Sequence, residues 1–223
     1  QLERLDLSSN ELGSLGAKVL SMTAGIGKLR RLDLSYNRLE ALGIKSLADS
    51  SLGRQCVELN LRDTGVGDEG LQFLQKVPPL EFLTTLNLSD NGLTEIGVEA
   101  LCSSMVFPNL KTLILNNNHI GDEGVYAMAE SPLFSNLEKL VMHNNGLTTD
   151  SAISLSQSKT ITGLHALDLN TPTKAMNHLA ITEINCSMSN HAPTTSKKQD
   201  ISWEHGFHPA RISNHATHIS DFV

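Results

Sequence analysis

Residues 29–39 read LRRLDLSYNRL, and the same frame returns as LTTLNLSDNGL at 83–93 and LKTLILNNNHI at 110–120. Leu32 belongs to a series spaced by 27 residues that runs Leu5, Leu32, Leu59, Leu86, Leu113, Leu140, Leu167. A fixed period of this length marks a solenoid, in which each unit stacks only on its neighbours. Further apolar columns flank the series. Leu2, Leu29, Cys56, Leu83, Leu110, Leu137 and Leu164 form one, and Leu7, Leu34, Leu61, Leu88, Leu115, Met142 and Leu169 another. A third holds Leu12, Leu39, Val66, Leu93, Ile120 and Leu147. The Leu5 and Leu7 series lie two residues apart, the strand period that puts both side chains on one face. Stretches such as 4–8, 31–35 and 112–116 are therefore predicted as short strands, all parallel because every repeat runs the same way round the coil.

The second half of each repeat changes period. Ala17, Ile44, Leu71, Val98, Val125 and Ala152 precede Leu20, Leu47, Leu74, Leu101, Met128 and Leu155 by three residues, one stripe of an amphipathic helix. Asp68, Thr94, Asp122 and Asp150 are the predicted N-caps. The column Gly16, Gly43, Gly70, Gly97, Gly124, Ser151 is small throughout and should let neighbouring helices approach closely. Ile26, Leu80, Phe107, Phe134 and Ile161 add an apolar column after the helix, with Gly53 as its exception. Strands pack about 4.8 Å apart and helices roughly 10 Å apart, so the stack should bend with its strands inside. Asn10, Asn37, Asn91, Asn118 and Asn145 are expected to bond backbone groups in the turn after each strand, and Thr64 and Pro172 break that column.

The frame LxxLxLxxNxL, followed by a helix opening with LGxxG or GDEG, resembles the leucine-rich repeats of the ribonuclease-inhibitor type. Similar arrays form the C-terminal part of NOD-like immune receptors and occur in Ran GTPase-activating proteins and tropomodulin-type actin regulators. The resemblance covers residues 1 to about 170. It implies an α/β fold, a right-handed solenoid or horseshoe with parallel strands on the concave face and helices on the convex face. Residues 1–171 would hold about six full repeats and a partial seventh, and 172–223 a degenerate cap and a largely disordered tail.

Charge is unevenly spread. Residues 1–172 carry 13 Lys/Arg against 20 Asp/Glu, while residues 173–223 carry four of each. The acidity concentrates in 63–138, where 11 acids face only Lys76 and Lys111. Such a middle disfavours nucleic acid and anionic membrane and favours a partner with a basic surface. Many of these acids (Asp68, Glu69, Glu95, Asp122, Glu123) fall at predicted helix N-termini, where they also complement the dipole. Three cysteines make no disulfide framework, and Cys56 in a leucine column reads as a reduced core thiol. An intracellular chain is expected. Its start at Gln1, already inside a repeat, reads as a fragment of a longer protein.

Beyond the seventh repeat, Pro172 and Lys174 replace column residues. Residues 175–186 could form a capping helix through Met176, Leu179, Ala180 and Ile184, and the remainder is too polar to fold alone. His205 with His208 and His215 with His218 have i, i+3 spacing, yet no cysteines or carboxylates accompany them, so no metal site is assigned. The sequons at Asn87 and Asn185 are discounted as glycosylation sites. No phosphate loop, nucleophile elbow or triad spacing appears, so neither cofactor nor enzymatic activity is expected.

Function should sit on the strand face. Strand alternation turns out a middle column, Asp6, Asp33, Asn60, Asn87, Ile114, Val141, Asp168, whose apolar members depart from the rest. Tyr36, Arg62 and His143 are large side chains where serine or another short polar residue is usual, and Asn116 shares a column with Arg62 and His143. Aromatic residues and arginine anchor interfaces. Ile114, Val141, Tyr36, Arg62, His143 and Asn116 are thus the expected contacts of a protein partner. Two alternatives stand beside this reading: a regulator of a small GTPase of the Ran-activating kind, and an autoinhibitory or architectural array with no ligand of its own.

Overall fold

A computed structural model describes residues 2–23 and 27–169. Every described residue lies in one compact unit. Ile26, Pro172, the expected capping helix, both histidine pairs and the Asn185 sequon lie outside the described residues.

Seven parallel strands follow one another in sequence order in one sheet: β1 Arg4–Asp6, β2 Arg31–Asp33, β3 Glu58–Asn60, β4 Thr85–Asn87, β5 Thr112–Ile114, β6 Lys139–Val141 and β7 Ala166–Asp168. Register follows the repeat, with Leu5 beside Leu32, Leu59 beside Leu86 and Leu113 beside Leu140. The strands are shorter than predicted, three residues each. A turn ends them. Asp33 Oδ1 accepts the backbone N–H of Ser35 at 2.9 Å and its hydroxyl at 2.6 Å. Tyr36 then turns the chain with φ 58°. Backbone pairing outlasts the strand geometry, since Leu34 N–H donates to Asn60 O and Tyr36 N–H to Arg62 O.

Helices form the second layer: α1 Ser14–Ser21, α2 Glu40–Ala48, α3 Ser51–Gln55, α4 Gly67–Leu74, α5 Glu95–Cys102, α6 Gly121–Glu130 and α7 Thr149–Gln157. Their two predicted stripes point into the core with the strand leucines, apart from the partly buried Leu20. Cys56 is fully buried there, and burial pushes its thiol up to about 12. The short α3 was not anticipated. It explains Gly53: a Cβ there would collide with the Leu47 carbonyl oxygen, and Leu52 fills the core instead.

The small column works as expected. A Cβ on Gly43 would already stand 3.2 Å from Ala17 Cβ, and one on Gly97 would strike the Asp68 carboxylate. The predicted caps need correction. Thr94 caps α5, accepting from Ile96 N–H at 3.2 Å. Asp68, Asp122 and Asp150 stand one turn residue too late, at the second helical position. Thr148 caps α7 in place of Asp150. Asp68 instead reaches the next repeat, accepting from Thr94 N–H at 2.9 Å and its hydroxyl at 2.7 Å. Asp122 grips Thr148 the same way at 2.9 and 2.6 Å, and also accepts from the Ser151 hydroxyl.

The asparagine column bonds turns across repeats. Asn91 Oδ1 accepts from Thr64 and Val66 N–H at 3.1 Å each, and its amide donates back to Leu61 O at 2.8 Å. Asn118 serves Asn91 and Leu93 alike, and Asn37 serves Leu12. Thr64 keeps one local bond of the missing amide, its hydroxyl donating to Leu61 O at 2.8 Å.

Candidate functional site

Strand alternation sends one set of leucines into the core and leaves the middle column on the opposite, strand face. Its members from Asp33 to Val141 are nevertheless well covered, while Asp6 and Asp168 at its ends are exposed. Ile114 and Val141 are neighbours in the β5–β6 register, and each is only 8% exposed. Parallel strands about 4.8 Å apart set side chains shoulder to shoulder, so Thr112 and Asn116 flank Ile114 along its own strand line. The two residues expected as central anchors therefore form a floor, and larger side chains stand around it.

Those side chains fall into two groups on either side of β4. In the first, the Arg62 guanidinium lies over the Tyr36 ring, 5.4 Å from its centroid. Arg62 Nε also donates to Asp90 Oδ2 at 2.8 Å. A planar guanidinium can stack with its face and pair through its edge at once. Tyr36 is 43% exposed. Its backbone is left-handed at φ 58°, in a column otherwise filled by Ser9, Asp63, Asp90, Asn117 and Asn144. Short polar residues tolerate that conformation, whereas a bulky ring there is unusual. The neighbouring Arg31 pairs with Glu58 at 2.9 Å.

The second group surrounds the apolar floor. Val141 has no side-chain oxygen to receive the His143 backbone N–H, as Asp33 does for Ser35. Asn116 of the preceding repeat receives it instead at 2.8 Å. Asn116 thus has a structural task beside any role at a surface. His143 Nε2 lies 2.7 Å from Asp168 Oδ2, close enough to pair but outside hydrogen-bond alignment. Asn144 donates to Asn117 at 2.8 Å along the same edge.

The expected residues are thus brought together in two sets, Tyr36 with Arg62 and Ile114 with Val141, Asn116 and His143. Asp90 and Asp168, which complete these sets, were not singled out from the sequence. The signal was available: each follows a large side chain of the preceding repeat by roughly one period. Asn87 is buried on this face, and its Oδ1 accepts the Ser89 N–H and hydroxyl. Among the described residues, no three histidine, cysteine or carboxylate side chains cluster to hold a metal, and no helix is long and apolar enough to cross a membrane.

The family pattern described as "Leucine Rich repeats (2 copies)" matches residues 81–127. That described as "Leucine Rich repeat" matches residues 2–21, 28–48 and 57–74. The matched repeats are leucine-rich repeats, each built of a strand and a helix. Comparison with curated protein sequences gives no match. Among solved structures, a tropomodulin C-terminal domain from Caenorhabditis elegans shares 13% identity over 66% of this chain and 92% of its own, with a TM-score of 0.49. Leiomodin-1 actin-binding site 2 shares 14% identity over 67% of this chain and 88% of its own, also with a TM-score of 0.49.

Proposed function

We propose that the chain is a protein-binding module that takes its partner on the strand face, within a larger intracellular receptor or scaffold. The observation that carries this reading is Tyr36. A left-handed backbone costs an L-residue roughly 1–2 kcal/mol, and the five equivalent positions that adopt it carry serine, aspartate or asparagine. A ring kept there, half exposed and braced by Arg62, is suited to anchoring a partner. Asp63 stands exposed beside the platform and Asp90 closes it. Their charge suits a basic partner surface, although Asp68 and Asp122 show that part of the acidity serves the fold.

Photo-cross-linking tests the reading. A cross-linking residue at position 36 should capture a protein that one at position 126, on the outside of α6, does not. The double variant Tyr36→Ala, Arg62→Ala should weaken binding of the captured protein while the fold persists. Adducts confined to position 126, or binding indifferent to the double variant, would remove the proposal. Substituting Ile114 and Val141 by aspartate is a poorer test, because it would place two carboxylates at buried positions.

A further inference from the structure

The side-chain bonds between neighbouring repeats on the turn side come in two kinds, and one junction has neither. In the first kind, an asparagine oxygen accepts from the repeat before it: Asn37 from Leu12 N–H, Asn91 from Thr64 and Val66, Asn118 from Asn91 and Leu93. In the second, a carboxylate at one helix start holds the threonine at the next, Asp68 with Thr94 and Asp122 with Thr148. The Asp122 clamp serves the fifth and sixth repeats, where Asn145 Oδ1 is buried and accepts nothing. From the first repeat to the sixth, only the junction between the second and third lacks both. Thr64 stands in the asparagine column there, and Ala41 in the column of Asp68 and Asp122.

Thr64 does not replace the missing oxygen. Its hydroxyl acts as a donor, to Leu61 O at 2.8 Å and to Asn91 Oδ1 at 3.3 Å. Asn37 and Leu39, both buried, sit where Asn91 and Leu93 donate to the Asn118 oxygen, and no side chain among the described residues accepts from their N–H groups. Buried backbone donors are paired almost without exception, so two left open at one junction mark a weak point. Beyond Tyr36, the backbone bond that still crosses is Glu40 N–H to Thr64 O at 3.0 Å. The strand face supplies contacts across this junction instead. Arg31 pairs with Glu58 at 2.9 Å, Asn60 donates to Asp33 Oδ2 at 3.0 Å, and the Arg62 guanidinium covers the Tyr36 ring. The sheet pairing itself is unbroken.

We propose that this junction is a joint: the array opens most readily on its turn side between the second and third repeats, and the contact of Arg62 with Tyr36 braces it. A stacked array gives way at the interface that is held least, because each repeat touches only its neighbours. The strand pairing stays as the hinge line, and the turns beyond Tyr36 part. Exposed stacking and ion pairs yield more readily than buried hydrogen bonds to backbone, so the brace limits the opening without preventing it. Tyr36 and Arg62 stand on opposite sides of the joint. A partner that grips both holds it closed, a consequence that rests on the strand-face reading, whereas the joint itself rests on bonding within the free chain.

Hydrogen exchange of the whole chain, read residue by residue by NMR and corrected for intrinsic rates, tests the joint without any partner. Protection at Asn37 and Leu39 should be at least about tenfold lower than at Asn91 and Leu93, which occupy the same columns. Thr64→Asn supplies the oxygen and should raise protection at Asn37 and Leu39 about tenfold, leaving the fifth repeat unchanged. Should that chain not fold, Arg62→Ala should lower protection at Asn37 and Leu39 severalfold further and again spare the fifth repeat. Equal protection in the two pairs overturns the proposal, as does a folded Thr64→Asn chain with no gain at Asn37 and Leu39. Where Thr64→Asn does not fold, an Arg62→Ala chain whose protection is unchanged, or falls everywhere alike, overturns it too. None of these outcomes bears on whether the strand face takes a partner, which the cross-link at position 36 decides by itself.

Discussion

Asp122 holds Thr148 of the following repeat through both carboxylate oxygens, one on the backbone N–H and one on the hydroxyl. Asp68 holds Thr94 identically, so the clamp recurs two repeats apart and joins α4 to α5 and α6 to α7. Each clamp ties a helix start to its neighbour at a site where the small column has already brought the helices close.

Replacing Asp122 by alanine should cost up to about 1.5–3 kcal/mol, the range for hydrogen bonds to charged groups. Urea denaturation of the variant against the parent measures this. A change within about 0.5 kcal/mol would mean that water replaces the clamp freely.

The same carboxylate should make stability depend on acid. Burial alone would raise its pKa, but hydrogen bonds from Ser151 and Thr148 outweigh burial and hold it below the ordinary carboxylate range. Asp122 therefore contributes stability above its unfolded value of about 3.9, and that contribution is lost as the pH falls through the depressed value. Denaturation curves of the parent and Asp122→Asn should differ at pH 7 and converge as the pH drops below about 4. Curves that stay parallel to low pH would contradict the assignment.

Leu113 sits in the core, almost wholly buried, with Leu86 and Leu140 beside it. Leu113→Ala should destabilise by about 2–5 kcal/mol through the cavity it leaves. An unchanged melting temperature would contradict the column assignment.

Gly97→Ala should drive α5 away from α4, because the added methyl meets the Asp68 carboxylate. The expected loss is about 1–3 kcal/mol. Gly27→Ala meets nothing within 4 Å and serves as the control, with an effect inside about 0.5 kcal/mol. Equal losses at both sites would show that backbone freedom, not helix approach, sets the column.

Tyr36→Asn places at φ 58° a residue that Asn117 and Asn144 show to be at ease there. Relief of strain offsets the lost Arg62 stacking, so stability should hold or rise by up to about 1 kcal/mol. Partner binding should fall. A variant both less stable and equally active in binding would mean that the ring serves the fold alone.

The period of 27 residues made the architecture legible, since each leucine column has a single place in a strand or helix. The core thiol of Cys56 and the bonding task of Asn37, Asn91 and Asn118 were equally open to reading, because a lone polar or sulfur side chain in a regular column has few ways to be satisfied. What stayed hidden acts between columns. Asp68 and Asp122 looked like caps of their own helices, whereas their partners lie 26 residues away, beyond any local window. Ile114 and Val141 looked exposed because alternation points them outward, but alternation says nothing of how closely the adjoining strands crowd them. Asn116 looked like a surface contact until the loss of an oxygen at Val141 gave it the His143 N–H to hold.

The asparagine bonds have a direction. Asn91 satisfies donors of the repeat before it, and Asn118 does the same for the repeat containing Asn91. Losing a later repeat would strip the asparagine acceptor from buried amide hydrogens upstream, while losing an earlier one would strip backbone acceptors from the next strand, as Arg30 O serves Val57 and Glu58 N–H. Each repeat thus protects amide hydrogens on both of its neighbours, and hydrogen exchange should open neighbouring repeats together rather than one at a time.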